Sequence, residues 1–424
     1  MKFQKSCLVF IFLHVLFFVS VSGQRCIVRE LGSKDVIRGQ TPPSCALPVS
    51  LINSGLYRPL VPPTNSLFPP WYNATLFRIG QKYAQKHFLS VLITQITALP
   101  LFTNHPLIKP FLKVSGKSRT MENANRRFLS TILHVKLYYE QEGDALHHVI
   151  ESLVRVQGIH FSLARNYTWA ALQKNNAAAK AKETDFSFRE DMWAAVSADL
   201  EASKIPDKNR FWSFADLLPP KDGVVPILNQ LSFSNTQFFL GGLYNVIPKR
   251  IGIHDAKEEE LDGFNHLWAV LGFAVGIEDH YNIALQPSLD ELRRYYREYY
   301  DEYMLPALFH RDADGKNFME GLYTGFIRAS FGKDGDKMFR VEQMMLLGLE
   351  NVFDVDCPNI RKRLGLPSRF LRSHVAEVTN MFKSASFRKC LAKFVLRTYV
   401  EKSGRNDLGI DINDPAQVAE KSYF

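Results

Sequence analysis

From about residue 77 to residue 401 the apolar residues recur at helical spacing, and the long alternating runs of Val, Ile and Thr from which sheets are built are missing. A chain patterned this way hides its apolar stripes by packing helix against helix. The expected fold class is therefore all-α, a single large helical domain. The clearest repeat lies between residues 144 and 165, where Leu146, Val149, Ile150, Leu153, Val156 and His160 share one face. Ser288-Leu289-Asp290-Glu291 forms a capping box that should open a helix running through Tyr303. Residues 343–352 and 375–399 continue the helical pattern. Tyr295, Tyr296, Tyr299, Tyr300 and Tyr303 also fall at helical spacing, which predicts a half-buried face with hydroxyls reaching water.

The flanks differ from this body. Lys2 and Lys5 precede an apolar run over residues 7–21, and Val21-Ser22-Gly23 suits a secretory cleavage site, so residues 1–23 read as a signal peptide. The run is shorter than the roughly 20 residues that span a bilayer comfortably. A secreted or endoplasmic reticulum lumenal location follows as an expectation. In that compartment Asn73-Ala74-Thr75 and Asn166-Tyr167-Thr168 become candidate glycosylation sites. Cys26, Cys45, Cys357 and Cys390 make an even count that suggests two disulfides, the shortest loops joining Cys26 to Cys45 and Cys357 to Cys390. Residues 24–72 are rich in Pro, Gly and Ser and read as an irregular leader. The helical domain is placed at 73–401, with a polar insertion at 168–218 and a loose polar tail at 402–424.

Charge narrows the partners. Loss of Lys2 and Lys5 would take the formal charge from +9 to +7, and no run of five basic residues occurs, so nucleic acid is not expected as a partner. Peripheral contact with a weakly acidic membrane stays open. The 32 Phe and 16 Tyr residues suit either a bulky core or the lining of a wide apolar cavity.

Several catalytic signatures are absent: GxSxG, HExxH, an ExxH pair, GxGxxG and CxxC. Gly116-Lys117-Ser118 looks like the end of a phosphate loop, but Phe111 stands where the first Gly must be. Asp312-Ala313-Asp314-Gly315 puts its Gly at the fourth position of a would-be calcium loop, where the sixth is required. Haem asks least of such a chain. It needs one imidazole directed into a slot between helices, apolar walls, and a cation or two for the propionates.

Three segments carry candidate chemistry. The first holds Phe77-Arg78-Ile79-Gly80-Gln81, then Gly116-Lys117-Ser118, then Arg127, Thr131 and His134; Arg127 and Thr131 are four apart and share a helical face. The second is Val156-Gln157-Gly158-Ile159-His160. The third comprises Thr236-Gln237, then His266-Leu267-Trp268, and onward through Gly272, Gly276 and Glu278 to Asn282. The four-residue spacing of Gly272 and Gly276 would allow close helix approach.

In this order the segments resemble the oxygenase family whose catalytic domain is shared by bacterial rubber oxygenases (latex clearing proteins) and fungal endoplasmic reticulum-bound oxygenases. The likeness runs from about residue 77 to 282. It implies a rubber-oxygenase-like helical domain with a globin-like slot for haem b, O2 as co-substrate, and oxidative cleavage of a carbon–carbon double bond in an isoprenoid or other hydrophobic chain. His160 matches the axial ligand, and Arg127 and Thr131 match the motif assigned to the distal side. Arg155, Gln157, Thr236, Gln237, His266 and Trp268 complete the expected cofactor pocket, with His134 and His266 as rival ligands. Family members often carry Arg at the Gln157 position and a lysine near the distal Arg. Their absence here leaves a non-catalytic haem- or lipid-binding protein of the same fold as the alternative.

Overall fold

The computed structural model describes residues 51, 55–63, 66–114, 116–118, 120–169, 188–205, 225–335, 339–364, 390, 393 and 395–421. The expected signal peptide, most of the leader, Cys26 and Cys45 lie outside these residues. Within them the protein is all-α: fifteen helices and no strand, with two isolated bridges, Pro59 to Asn229 and Thr168 to Pro226.

The first long helix, α1 (Ala74–Lys86), starts where Asn73 Oδ1 accepts from the backbone N–H groups of Thr75 and Leu76 at 3.0 and 3.1 Å. Such a cap contributes about 1 kcal/mol. Helices α2 (Phe88–Thr97), α3 (Leu99–Thr103) and α4 (Lys109–Val114) follow. Thr120 then caps the 20-residue α5 (Met121–Glu140), which a turn reverses into α6 (Leu146–Asn166), close to the helix expected from spacing. Gln81, buried in α1, donates to the carbonyls of Tyr138 and Gln141 at 2.9 and 2.8 Å, tying α1 to the carboxyl end of α5.

Residues 188–205, within the stretch read as a polar insertion, form an anchored helix. There α7 (Glu190–Glu201) buries Met192, Trp193, Val196 and Leu200. Glu320 accepts from Trp193 Nε1 at 2.7 Å and from Arg189 Nε at 3.1 Å, and Arg189 also meets Glu342 at 3.1 Å, so α7 is bolted to the body. Residues 170–187 and 206–218 of that stretch lie outside the described residues.

Helix α8 (Gln230–Gln237) is opened by a reciprocal cap between Asn229 and Ser232 and runs into a π-turn at Phe238–Gly242 and then α9 (Leu243–Val246). α10 (Glu258–Ala274) crosses α1 at glycines: a Cβ on Gly80 would lie 2.3 Å from Gly263 O. The close approach predicted for Gly272 and Gly276 is therefore made by a different pair. Gly272 instead leaves room for the Gln237 amide, and Gly276 adopts φ +103°, a left-handed conformation that favours glycine.

Ser288 caps α11 (Leu289–Glu298), which continues as a π-turn at Tyr299–Met304. The five tyrosines of this stretch are all buried, not half-exposed as the spacing suggested. Tyr299 donates to Asn235 Oδ1, Asn235 Nδ2 donates to Tyr303 Oη at 3.2 Å, and Tyr300 donates to Val352 O at 2.7 Å. The hydroxyls of Tyr299, Tyr300 and Tyr303 are thus satisfied by distant segments instead of water.

Asp312 caps α12 (Ala313–Phe331) by accepting from Gly315 N–H at 2.9 Å, which gives the rejected calcium-like motif its local role. Next come α13 (Val341–Leu347) with its π-turn Gly348–Val352, and α14 (Pro358–Arg363), whose first turn is held by buried Asp199. Cys357 and Cys390 are both free, Cys357 buried and Cys390 exposed, so the pairing of these two, one of the three that four cysteines allow, is not formed. The tail is not loose either. Ile410, Val418 and Ala419 are buried, and α15 (Pro415–Lys421) packs on α5 and α6. No helix among the described residues is long and apolar enough to cross a membrane.

Candidate functional site

A cavity of about 450 Å³ lies between α5 and α6, roofed by α8, its π-turn and α10 and closed at one end by α3, α4 and α12. This is the size of a small-molecule site. Its walls are largely apolar, with Phe128, Leu153, Phe233, Phe239 and Leu271 among them. Three lining residues, Lys117, Thr131 and Ile159, are exposed, which places the mouth between α5 and α6.

His160 projects from α6 and lines this cavity, its ring edge-on to Phe233 with centroids 4.9 Å apart. Its Nδ1 is buried without a hydrogen-bond partner. A metal-binding imidazole is ordinarily oriented by a carbonyl or carboxylate on its second ring nitrogen, and Nδ1 meets neither. Burial, reinforced by the Arg127 cation, lowers the imidazole pKa to about 4. The ring is therefore neutral at physiological pH and keeps a lone pair for a metal or a donor.

His134 lines the same cavity from α5. Its Nδ1 lies 2.7 Å from Ser152 Oγ, which donates onward to Tyr138 Oη at 3.1 Å. Burial, then His160, then Arg155 lower its pKa to about 3. Arg127, one helical turn before Thr131, donates to Leu112 O at 3.0 Å and to Ser118 Oγ at 3.3 Å and stacks over Phe111. Burial lowers its pKa to about 10, which leaves it cationic at neutral pH. The Thr131 hydroxyl is turned back onto Arg127 O at 3.2 Å, so its donor is spent within the helix.

Thr236, Gln237 and Trp268 also line the cavity. The Thr236 hydroxyl donates to Ser232 O at 3.0 Å. Gln237 is buried, and its Nε2 donates to Trp268 O and Asn282 Oδ1, both at 2.8 Å, leaving Oε1 buried without a donor.

The remaining expected pocket residues lie elsewhere. Arg155 is exposed and donates to Glu420 O in α15 at 3.1 Å; Gln157 donates to Ala274 O at 2.9 Å. His266 accepts from Asn73 N–H at 3.0 Å and packs against Trp71 and Tyr72, outside the cavity lining. Its place is the start of α1. Gln95 was not anticipated; it lines the cavity, and its side-chain amide meets the Tyr244 hydroxyl. The only sequence signal for it is an amide in helix α2, whose other polar residues, Ser90, Thr94 and Thr97, are small hydroxyls. Lys117, part of a motif set aside as a failed phosphate loop, supplies a cation at the mouth.

Among the described residues no three His, Cys, Asp or Glu side chains gather to hold a metal ion. The metal-binding capacity of the cavity therefore rests on single imidazoles. No protein-family model, curated protein or solved structure matches the chain.

Proposed function

We propose that the protein is a secreted or lumenal haem b-dependent oxygenase that uses O2 to cleave a carbon–carbon double bond in an apolar isoprenoid or lipid. The observation that carries this reading is His160: a neutral imidazole in the wall of a largely apolar cavity, with Nδ1 buried and unpartnered. The residues present fit haem. His160 would hold the iron, Arg127 and Lys117 would face its carboxylates, and the aromatic and aliphatic walls would cover the macrocycle. Haem bound there would supply the oxygen chemistry that no side chain of this chain provides.

The chain's own residues select and orient. Arg127 is fixed by Leu112 O, Ser118 Oγ and the Phe111 ring, so its charge is held in place before any ligand arrives. Phe233, Phe239 and Leu271 exclude water and favour an apolar substrate. His134 is oriented by Ser152 and kept neutral by burial, a state from which it can accept a proton inside the cavity. A carrier without turnover is the second reading. It is favoured by Gln157, which stands where family members often have Arg and spends its amide on Ala274 O.

The test is the visible spectrum of full-length protein produced with haem supplementation, paired with oxygen uptake on an unsaturated isoprenoid. A Soret band lost in His160→Ala, together with oxygen uptake, is expected. A Soret band without uptake on any unsaturated lipid selects the haem carrier, and no Soret band overturns both haem readings and leaves only a lipid carrier.

A further inference from the structure

The charge in the cavity wall has one sign. Among the described residues that line it, Lys117 and Arg127 are cations and none is Asp or Glu. The two histidines of the wall are neutral, burial holding His134 at about 3 and His160 at about 4. Both cations belong to one end of the space: Arg127 donates to Ser118 Oγ at 3.3 Å, and Ser118 is the chain neighbour of Lys117, which is exposed at the mouth. Arg127 sits deeper, its guanidinium carbon 4.7 Å from the Phe111 ring centroid. Its charge reaches across the cavity, since after burial it is the second cause that keeps His160 neutral. Beyond the cations the lining turns apolar, with Leu99, Leu153, Phe233, Phe239, Trp268 and Leu271 all buried.

A space with cations at its mouth and hydrocarbon inside matches a molecule built the same way, an anionic head on an apolar chain. We propose that the haem-free protein binds a long-chain fatty acid, its carboxylate at Arg127 with Lys117 beside it, and its tail lying inward along the apolar walls. The planar fork of an arginine suits the two oxygens of a carboxylate. One cation withdrawn from water balances one negative charge, which favours a monoanion over a phosphate head; Lys117, in solvent, is screened and adds less. A cavity of about 450 Å³ takes one acyl chain more readily than two. An ester or an alcohol of the same chain gains the walls but not the charge. This binding activity goes beyond the oxygenase reading, because it needs neither iron nor O2 and draws only on the same two cations.

The test displaces the fluorescent probe cis-parinaric acid from the haem-free full chain with oleic acid, methyl oleate, oleyl alcohol and oleoyl lysophosphatidic acid. Oleic acid should bind at least about tenfold more tightly than the ester or the alcohol, the worth of one charge-assisted hydrogen bond in an apolar site. In Arg127→Leu that gap should close to within about threefold while affinity for the ester is kept, and in Arg127→Lys part of the gap should survive. Lys117→Gln should weaken acid binding by only about two- to threefold, an effect that about 0.5 M salt removes. Failure to bind cis-parinaric acid overturns the proposal, as do equal affinities for acid and ester, an acid preference that survives in folded Arg127→Leu, or tighter binding of the lysophosphatidic acid than of oleic acid. If Arg127→Leu does not fold, the wild-type series decides. An acid preference in protein that shows no Soret band after reconstitution supports the fatty acid and sinks the haem reading; a Soret band without the preference does the reverse.

Discussion

The tyrosine cluster of α11 and the cavity beneath α8 are both aromatic, both buried and close in the chain's packing, yet they treat polar atoms in opposite ways. In the cluster the hydroxyls of Tyr299, Tyr300 and Tyr303 are each engaged by Asn235 or Val352 O. In the cavity wall His160 Nδ1 and Gln237 Oε1 have no partner. In the first region these three hydroxyls are engaged within the fold. The other keeps polar capacity in reserve, which is what a binding site must do, since groups already satisfied internally have little left to offer a ligand.

If the contrast is real, substitutions in the two regions must differ in cost. The largest single effect is expected for Asn235→Leu, which removes the amide shared by the buried Tyr299 and Tyr303 hydroxyls and should lower unfolding stability by about 3 kcal/mol in chemical denaturation. Acid comes next. His105 and His134 are held neutral, with burial lowering both to about 3, so the folded state binds fewer protons than the unfolded chain below pH 6.5. Their stabilisation is complete above that pH and is lost as pH falls towards 3. Stability of the haem-free protein should drop by about 2 kcal/mol for each of these two histidines between pH 7 and pH 5. Tyr300→Phe, which frees only Val352 O, should cost about 1 kcal/mol. His160→Leu should change stability by no more than about 0.5 kcal/mol, or raise it, because it replaces an unsatisfied polar group by an apolar one. A cost of 2 kcal/mol or more there would erase the distinction between the two regions.

Much of this arrangement can be read from local pattern. The α5 and α6 helices, the Ser288 cap and the helical placement of Arg127, Thr131, His134 and His160 follow from spacing, and the structure brings the last four to one cavity. What spacing could not supply is partnership at a distance. The tyrosines look half-exposed until Asn235, about sixty residues away, is seen beneath them. Trp193 sits in a stretch whose polar composition suggests an insertion, and only Glu320 and Arg189 reveal that the stretch is anchored. His266 beside Trp268 reads as a pocket residue, but on a helix two positions point to different sides, and His266 turns to Asn73 while Trp268 meets the cavity. The tail misled through its charge, because its few apolar residues, Ile410, Val418 and Ala419, are the ones that dock.

The central claim is that His160 holds a haem iron in the cavity between α5 and α6. The absorption spectrum of the full chain, reconstituted with stoichiometric haem and compared with His160→Leu and His134→Leu, tests it most directly. The account predicts a Soret band in the wild-type protein and in His134→Leu, and its loss in a folded His160→Leu. A band that persists in His160→Leu, or is lost only in His134→Leu, would contradict it.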